Sequence, residues 1–276
     1  MKPRVLEGDT VNASRLLAKR RESRRQLEQI FAQPNVVNVI HYSCESFYDD
    51  KPTSPRITSI AVRNVGSRQT TSFSIHQVAE RSGVDLTQIE ATYDELEGEM
   101  LREFYNFLRT HQNHKWVHWS MRDINYGFPA LEHRYQVLGG TDPVTLPDAD
   151  LFDISAKLID IYGPQYAPHP RQESLMRLNN ISDQHFLSGK EEADAFTRRA
   201  YVQLHQSTLR KVDVIHNIAE RELSGMLRTR LGWWQRNGSS VTGLVEAVTD
   251  TWVYKVLGFI GIVASIASWA RPGSGS

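Results

Sequence analysis

LREFYNFLRTHQNHKWVHWSMRDINYGFPALEHR, residues 101–134, decides how this chain folds. Its first part completes an amphipathic helix over Asp94–Thr110. Leu96, Met100, Leu101, Phe104, Phe107 and Leu108 fall on one face of that helix. Lys115–His118 is short and apolar and reads as a strand. A polar turn follows, and Ile124–Leu138 reads as a second helix stopped by Gly139-Gly140. A short apolar strand held between two helices belongs to a sheet whose faces the helices cover.

Upstream, Val36–Ser43 is apolar and β-branched, follows Pro34, and reads as a buried strand. Arg56–Val65 is a second strand, Val65-Gly66-Ser67-Arg68 a hairpin turn, and Gln69–His76 a third strand of alternating character. Downstream, Pro143–Asp150 is loop and Leu151–Tyr162 has helical spacing. Glu173–Leu178 is a short helix, and Lys190 to about Arg230 is one or two long helices. The expected class is α/β: a mixed sheet of three antiparallel strands, then helix, strand and helix, followed by a helical C-terminal region. The expected segments are 1–33, 34–235 and 236–276.

The first segment carries an amphipathic helix over Ala13–Ala32, with Asn12 or Ser14 as its cap. Leu16, Leu17, Leu27, Ile30 and Phe31 give it an apolar side; Arg15, Lys19, Arg20, Arg21, Arg24 and Arg25 give it a basic one. Such a face is either solvated or a contact to phosphates. On the second reading Arg20, Arg21, Arg24 and Arg25 touch nucleic acid or lipid head groups. The N-terminus is charged and lacks the apolar core of a secretory leader.

The last segment contains Trp252–Ala270, WVYKVLGFIGIVASIASWA, with Lys255 as its one charge. As a helix it would extend roughly 28 Å, close to the thickness of a bilayer core. Trp252, Tyr254 and Trp269 stand near its ends, where interfacial aromatics belong, and Gly258, Gly261 and Ala264 allow close helix packing. Arg228, Arg230 and Arg236 precede the run and Arg271 follows it, so the folded part is expected on the cytoplasmic side of an inner or plasma membrane. Packing of the run in a globular core or in a homo-oligomer is the alternative.

The 276 residues are 40 % hydrophobic and carry no net formal charge, so nothing global draws the chain to nucleic acid or to an anionic surface. Cys44, the single cysteine, excludes an intrachain disulfide and any multi-cysteine zinc site, and reads as a buried thiol. The ten histidines form no metal-ligand spacing. No phosphate-binding glycine loop, dinucleotide fingerprint or nucleophile elbow is present.

Ser43-Cys44-Glu45 ends the first strand, His118–Arg134 runs from the end of the fourth strand into the second helix, and Tyr201-Val-Gln-Leu-His205 lies in the late helices. Together with the element order, these stretches resemble the RNase H-like fold and, within it, a divergent DEDD-type 3′–5′ exonuclease, over about Val36 to Ile218. The family ends its first strand in Asp-x-Glu; Ser43 stands where the Asp would be. Its second motif puts an Asp four residues before the position of Leu131, where Gly127 stands; Asp123 is the nearest substitute. Its third motif puts an Asp where His205 stands, with Asp194 and Asp213 about two turns away on what reads as the same helix.

Two-metal phosphodiester cleavage needs several carboxylates around two Mg²⁺ or Mn²⁺ ions about 4 Å apart. A serine, a glycine and a histidine in three of the expected places imply a degenerate site. If active, the resemblance implies catalysis by Glu45, Asp123 and one of Asp194 or Asp213, with Glu45 a weak metal ligand. Asp49 and Asp50 read as a solvated turn. Trp116, Trp119 and Tyr126 are candidate stacking surfaces for bases or, alternatively, core aromatics. Three readings follow. The first is a membrane-tethered, non-catalytic RNase H-like protein that binds nucleic acid or a ribonucleoprotein, with bacterial antiphage defence as a setting by analogy of architecture. The second is an active exonuclease. The third is a soluble interaction protein whose tail packs into a partner.

Overall fold

Val37–Cys44 (β1) is buried at all eight positions, because helices cover both of its faces and strands flank both of its edges. Ile57–Asn64 (β2) pairs with it antiparallel, and Thr70–Ser74 (β3) pairs antiparallel with β2. On its other edge Lys115–His118 (β4) runs parallel, followed by Leu151–Asp153 (β5), also parallel. The order is β3-β2-β1-β4-β5, so the expected mixed sheet is present. A computed structural model describes residues 7–45, 54–122 and 125–230, with the backbone alone for 7–14 and 16. Asp49, Asp50, Asp123 and Trp252–Ala270 lie outside the described residues. Among the described residues no helix is long and apolar enough to cross a membrane.

The turn between β2 and β3 explains one glycine. A Cβ on Gly66 would lie 2.1 Å from Asn35 Oδ1 and 2.9 Å from Asn35 N, so the hairpin closes over Asn35 only if residue 66 has no side chain.

The helices are Glu7–Phe31 (α1), Ile75–Arg81 (α2), Tyr93–Thr110 (α3), Phe128–Val137 (α4), Ile154–Tyr162 (α5), Arg171–Leu178 (α6), Gly189–Thr197 (α7) and Tyr201–Leu223 (α8). α3 crosses from the antiparallel hairpin to β4, and α4 from β4 to β5. Strand alternation divides β1 between two cores. Ile40, Tyr42 and Cys44 pack with Leu96, Met100, Leu101 and Phe104 of α3. The other face meets α8, which lies along β1 and β2. α1 packs on α5 and α8: Ser23 and Leu27 are buried, and Ser23 Oγ donates to Asp160 Oδ2 at 3.4 Å.

Four expected elements are corrected. Leu151–Tyr162 opens as β5 before Asp153 turns it into α5 by accepting from the Ala156 N–H, at 3.2 Å. Its first three residues suit strand and helix equally, and only the pairing with β4 decides. The helix expected from Ile124 begins at Phe128, where Pro129 takes a first-turn position that lacks an N–H partner in any helix. The third strand stops at Ser74 and a short helix, α2, follows at Ile75. The one or two helices expected from Lys190 are two, divided between Thr197 and Tyr201 where Arg199 takes φ +58°; the shared helix read for Asp194 and Asp213 is corrected, since they lie on α7 and α8.

Beneath α3 lies a carboxylate with no exposed surface. Glu97 accepts from the Ile57 N–H at 2.6 Å and from Arg134 at 3.0 and 2.6 Å. Arg134 also reaches the exposed Asp94 at 2.7 Å. Burial lifts the Glu97 carboxyl above its ordinary pKa, while the guanidinium of Arg134 opposes the shift. One side chain thus ties α3, α4 and the start of β2 together. Arg134→Ala strands the Glu97 charge and is expected to lower unfolding free energy by about 3–5 kcal/mol, measured by urea denaturation. Asp94→Ala, at the exposed end of the network, is expected to cost under about 1 kcal/mol.

Candidate functional site

Among the described residues, the carboxylates named from sequence, Glu45, Asp194 and Asp213, are not brought together with one another. Glu45 follows β1 directly and lies 3.3 Å from Arg56, which also bonds Glu90 at 2.9 Å and stacks over Tyr93 and Phe196. Asp213 lies 3.1 Å from Arg63. Arg56 precedes β2 and Arg63 lies near its end, about 23 Å along the strand at about 3.3 Å per residue, so the two acids pair with opposite ends of it. Asp194 is exposed on α7.

The candidate nucleic-acid contacts divide as well. Tyr126 packs on Tyr42 at 4.5 Å, and its hydroxyl reaches His41 Nδ1 at 3.0 Å and the Tyr42 carbonyl at 3.2 Å, which is an anchoring role. On α1, Arg24 lies 3.5 Å from the buried Glu222, Arg25 is 2.6 Å from Glu22, and Lys19 is 2.8 Å from Asp160. Arg20 also acts on Glu222, and Arg21 is exposed. Much of the basic run therefore serves the packing of α1 on α5 and α8. Trp119, half-buried, lines a cavity described below.

The face of β1 toward α8 is polar where a core would normally be apolar. Ser59 Oγ and Thr208 Oγ1 are 2.6 Å apart, Thr208 Oγ1 donates to the Leu204 carbonyl at 2.9 Å and lies 2.8 Å from Ser43 Oγ, and Ser43 Oγ donates to Glu192 Oε1 at 2.9 Å. Ser207 Oγ also donates to Glu192 Oε1 at 2.9 Å, and Lys211 Nζ lies 2.7 Å from Oε2. Both side chains of that ion pair are 7 % exposed. Every strong group in this cluster has a partner, which a buried polar network requires.

A cavity of about 310 Å³ opens at the carboxyl end of the parallel strands. Its wall includes Trp119 and Ser120 after β4, Ser155 in the first turn of α5, Arg171 and Gln172 opening α6, Gly189 opening α7, and Lys211 from α8. First-turn N–H groups of three helices thus border one space, with the favourable potential they hold for anions. Arg171 Nε and Gln172 Nε2 are buried atoms with no hydrogen-bond acceptor. Beside the cavity, His118 and Asp153 stand opposite each other in the β4–β5 register, and Arg122 Nε lies 2.6 Å from Asp153 Oδ2. His118 Nδ1 accepts from the Met121 N–H, so Nε2 carries its proton. Burial pulls His118 down to about 4, with Asp153 opposing, and the ring is neutral near pH 7. Cys44 is a buried thiol whose pKa burial raises.

The described residues around Ser43 do not fit Mg²⁺ or Mn²⁺. Such ions require several carboxylate oxygens. Glu192, which Ser43 bonds, accepts from two hydroxyls and is already neutralised by an ammonium. Among the described residues no group of three or more His, Cys, Asp or Glu is placed to hold a metal ion. Glu192, Lys211, Arg171 and Asp153 were not singled out from sequence. The signal for Lys211 was there: Leu204, Thr208, Lys211, Ile215 and Ile218 share the buried face of α8, and a lysine in that series marks a buried ion pair. The chain matches no protein-family model and no curated protein.

Lys211→Met leaves Glu192 buried without its cation and is expected to destabilise the fold by about 3–5 kcal/mol. Combining it with Glu192→Gln is expected to recover most of that loss, giving a large coupling term in a double-mutant cycle followed by urea denaturation.

Proposed function

We propose that this chain is a non-cleaving protein on an RNase H-like frame that binds nucleic acid, alone or in a ribonucleoprotein, through the cavity at the carboxyl end of β1, β4 and β5. The frame is supported by the three-stranded antiparallel start, the helix–strand–helix that follows, and β4 lying beside β1. The loss of cleavage is supported by Ser43 in the place of the family's first Asp and by Lys211 neutralising the carboxylate that Ser43 bonds.

The observation that carries the binding reading is the convergence of Arg171, Gln172 and Lys211 from separate helices on one cavity. Side chains of this kind suit a ligand rich in acceptor oxygens. A phosphodiester provides them, and Trp119 on the same wall offers a face on which a base can stack. The segment Trp252–Ala270 would hold the protein at a bilayer, with binding at the folded part governing what the tail does.

Fluorescence anisotropy with labelled single- and double-stranded DNA and RNA, in the presence of Mg²⁺ or Mn²⁺, tests this reading. Saturable binding with intact label is expected, weakened about tenfold by Arg171→Gln or Trp119→Ala. Metal-dependent shortening of the label that disappears in Glu45→Ala would overturn it in favour of the exonuclease. For the tail, the full chain is expected in the membrane fraction and a chain stopped before Thr251 in the soluble one; equal partition of the two would remove the membrane role.

A further inference from the structure

At the other end of β2 from Arg56 a second cleft, of about 270 Å³, is walled by three arginines. Arg63 comes from the end of β2, Arg68 from the hairpin, and Arg210 from α8. Asp213, His216 and Glu220 of α8 complete the wall. Three guanidinium groups face two carboxylates, which leaves one positive charge in excess. The two acids are already engaged: Asp213 Oδ1 lies 3.1 Å from Arg63 and Glu220 Oε1 2.9 Å from Arg68.

The proton positions follow from elementary chemistry. Arg63 Nε donates to His216 Nδ1 at 3.1 Å, and a guanidinium can only donate, so Nδ1 accepts and the ring hydrogen sits on Nε2. His216 is 4 % exposed, and its Nε2 has no hydrogen-bond partner; Glu220 Oε1, 3.5 Å away, is outside bonding geometry. Arg210 gives Nη2 to the Ser182 carbonyl, while its Nε is buried without an acceptor. Two buried N–H donors without acceptors thus belong to side chains that line one cationic cleft. What is missing there is an acceptor with several oxygens and negative charge.

The geometry points to a phosphate-binding site formed by Arg63, Arg68, Arg210 and His216. Arginine forks match phosphate oxygens in pairs, and a tetrahedral anion accepts from donors that converge from separate elements. The cleft is larger than a bare phosphate, so the group arrives on a small phosphorylated molecule or as part of a nucleic-acid backbone. The site draws on residues and donors separate from those of the cavity at the carboxyl end of the parallel strands, and does not depend on how that cavity is read.

Isothermal titration of the full chain with inorganic phosphate at fixed ionic strength tests the assignment. Saturable binding is expected, weakened about tenfold or more in Arg210→Gln and in Arg68→Gln, and unchanged in Arg81→Gln, an exposed arginine on α2. Arg68 is 66 % exposed on a hairpin, so its variant folds even if Arg210→Gln loses stability. Competition by a short single-stranded oligonucleotide in the wild type identifies the backbone as the source; competition only by a mononucleotide identifies a free small molecule. Absence of saturable binding would overturn the site, as would binding kept in both cleft variants or lost only in Arg171→Gln.

Discussion

Taking a carboxylate and an ammonium out of water costs more than their attraction returns unless the remaining lone pairs and protons are satisfied. Glu192 and Lys211 meet that constraint by drawing Ser43 of β1, Ser207 and Thr208 of α8, and Ser59 of β2 around them. The pair therefore sets where α7 and α8 lie on the sheet. A shift of either helix by one residue would leave a buried charge and several hydroxyls unmatched. On the opposite face Glu97 and Arg134 impose the same discipline on α3, α4 and the first N–H of β2. Hydrophobic contacts supply much of the adhesion in both layers. The two ion pairs choose one arrangement among the many that would bury similar area.

That division explains what the sequence makes legible. β1, α3 and β4 are read directly because each has one periodicity and one apolar face. The sheet's mixed character follows from their order. β5 is not legible: three residues leading into a helix carry too little pattern, and pairing with β4 creates the strand. The start of α4 at Phe128 depends on Pro129 and on the preceding backbone more than on apolar spacing. The short α2 was absorbed into a strand because Ile75, His76 and Val78 suit either state.

The candidate site was harder to read for a different reason. Charges on helices default to solvent, so Glu192 and Lys211 pass for surface residues until their partners are known. Glu45, Asp194 and Asp213, the described carboxylates that stand out in the sequence, neutralise arginines or face water. The chemistry instead lies with a lysine. An ammonium fixed by a covalent stem cannot dissociate, exchange or coordinate several oxygens as a divalent ion does. A site built on it carries its cation on the chain itself.

α8 carries that lysine and, one residue earlier, Arg210. Successive residues of an α-helix point about 100° apart, so Lys211 and Arg210 are turned toward different spaces from adjacent positions. The helix behaves as an axle with a cationic spoke in each of two chambers. The packing of α8 along β1 and β2 therefore fixes the angle between the cationic walls of the two openings.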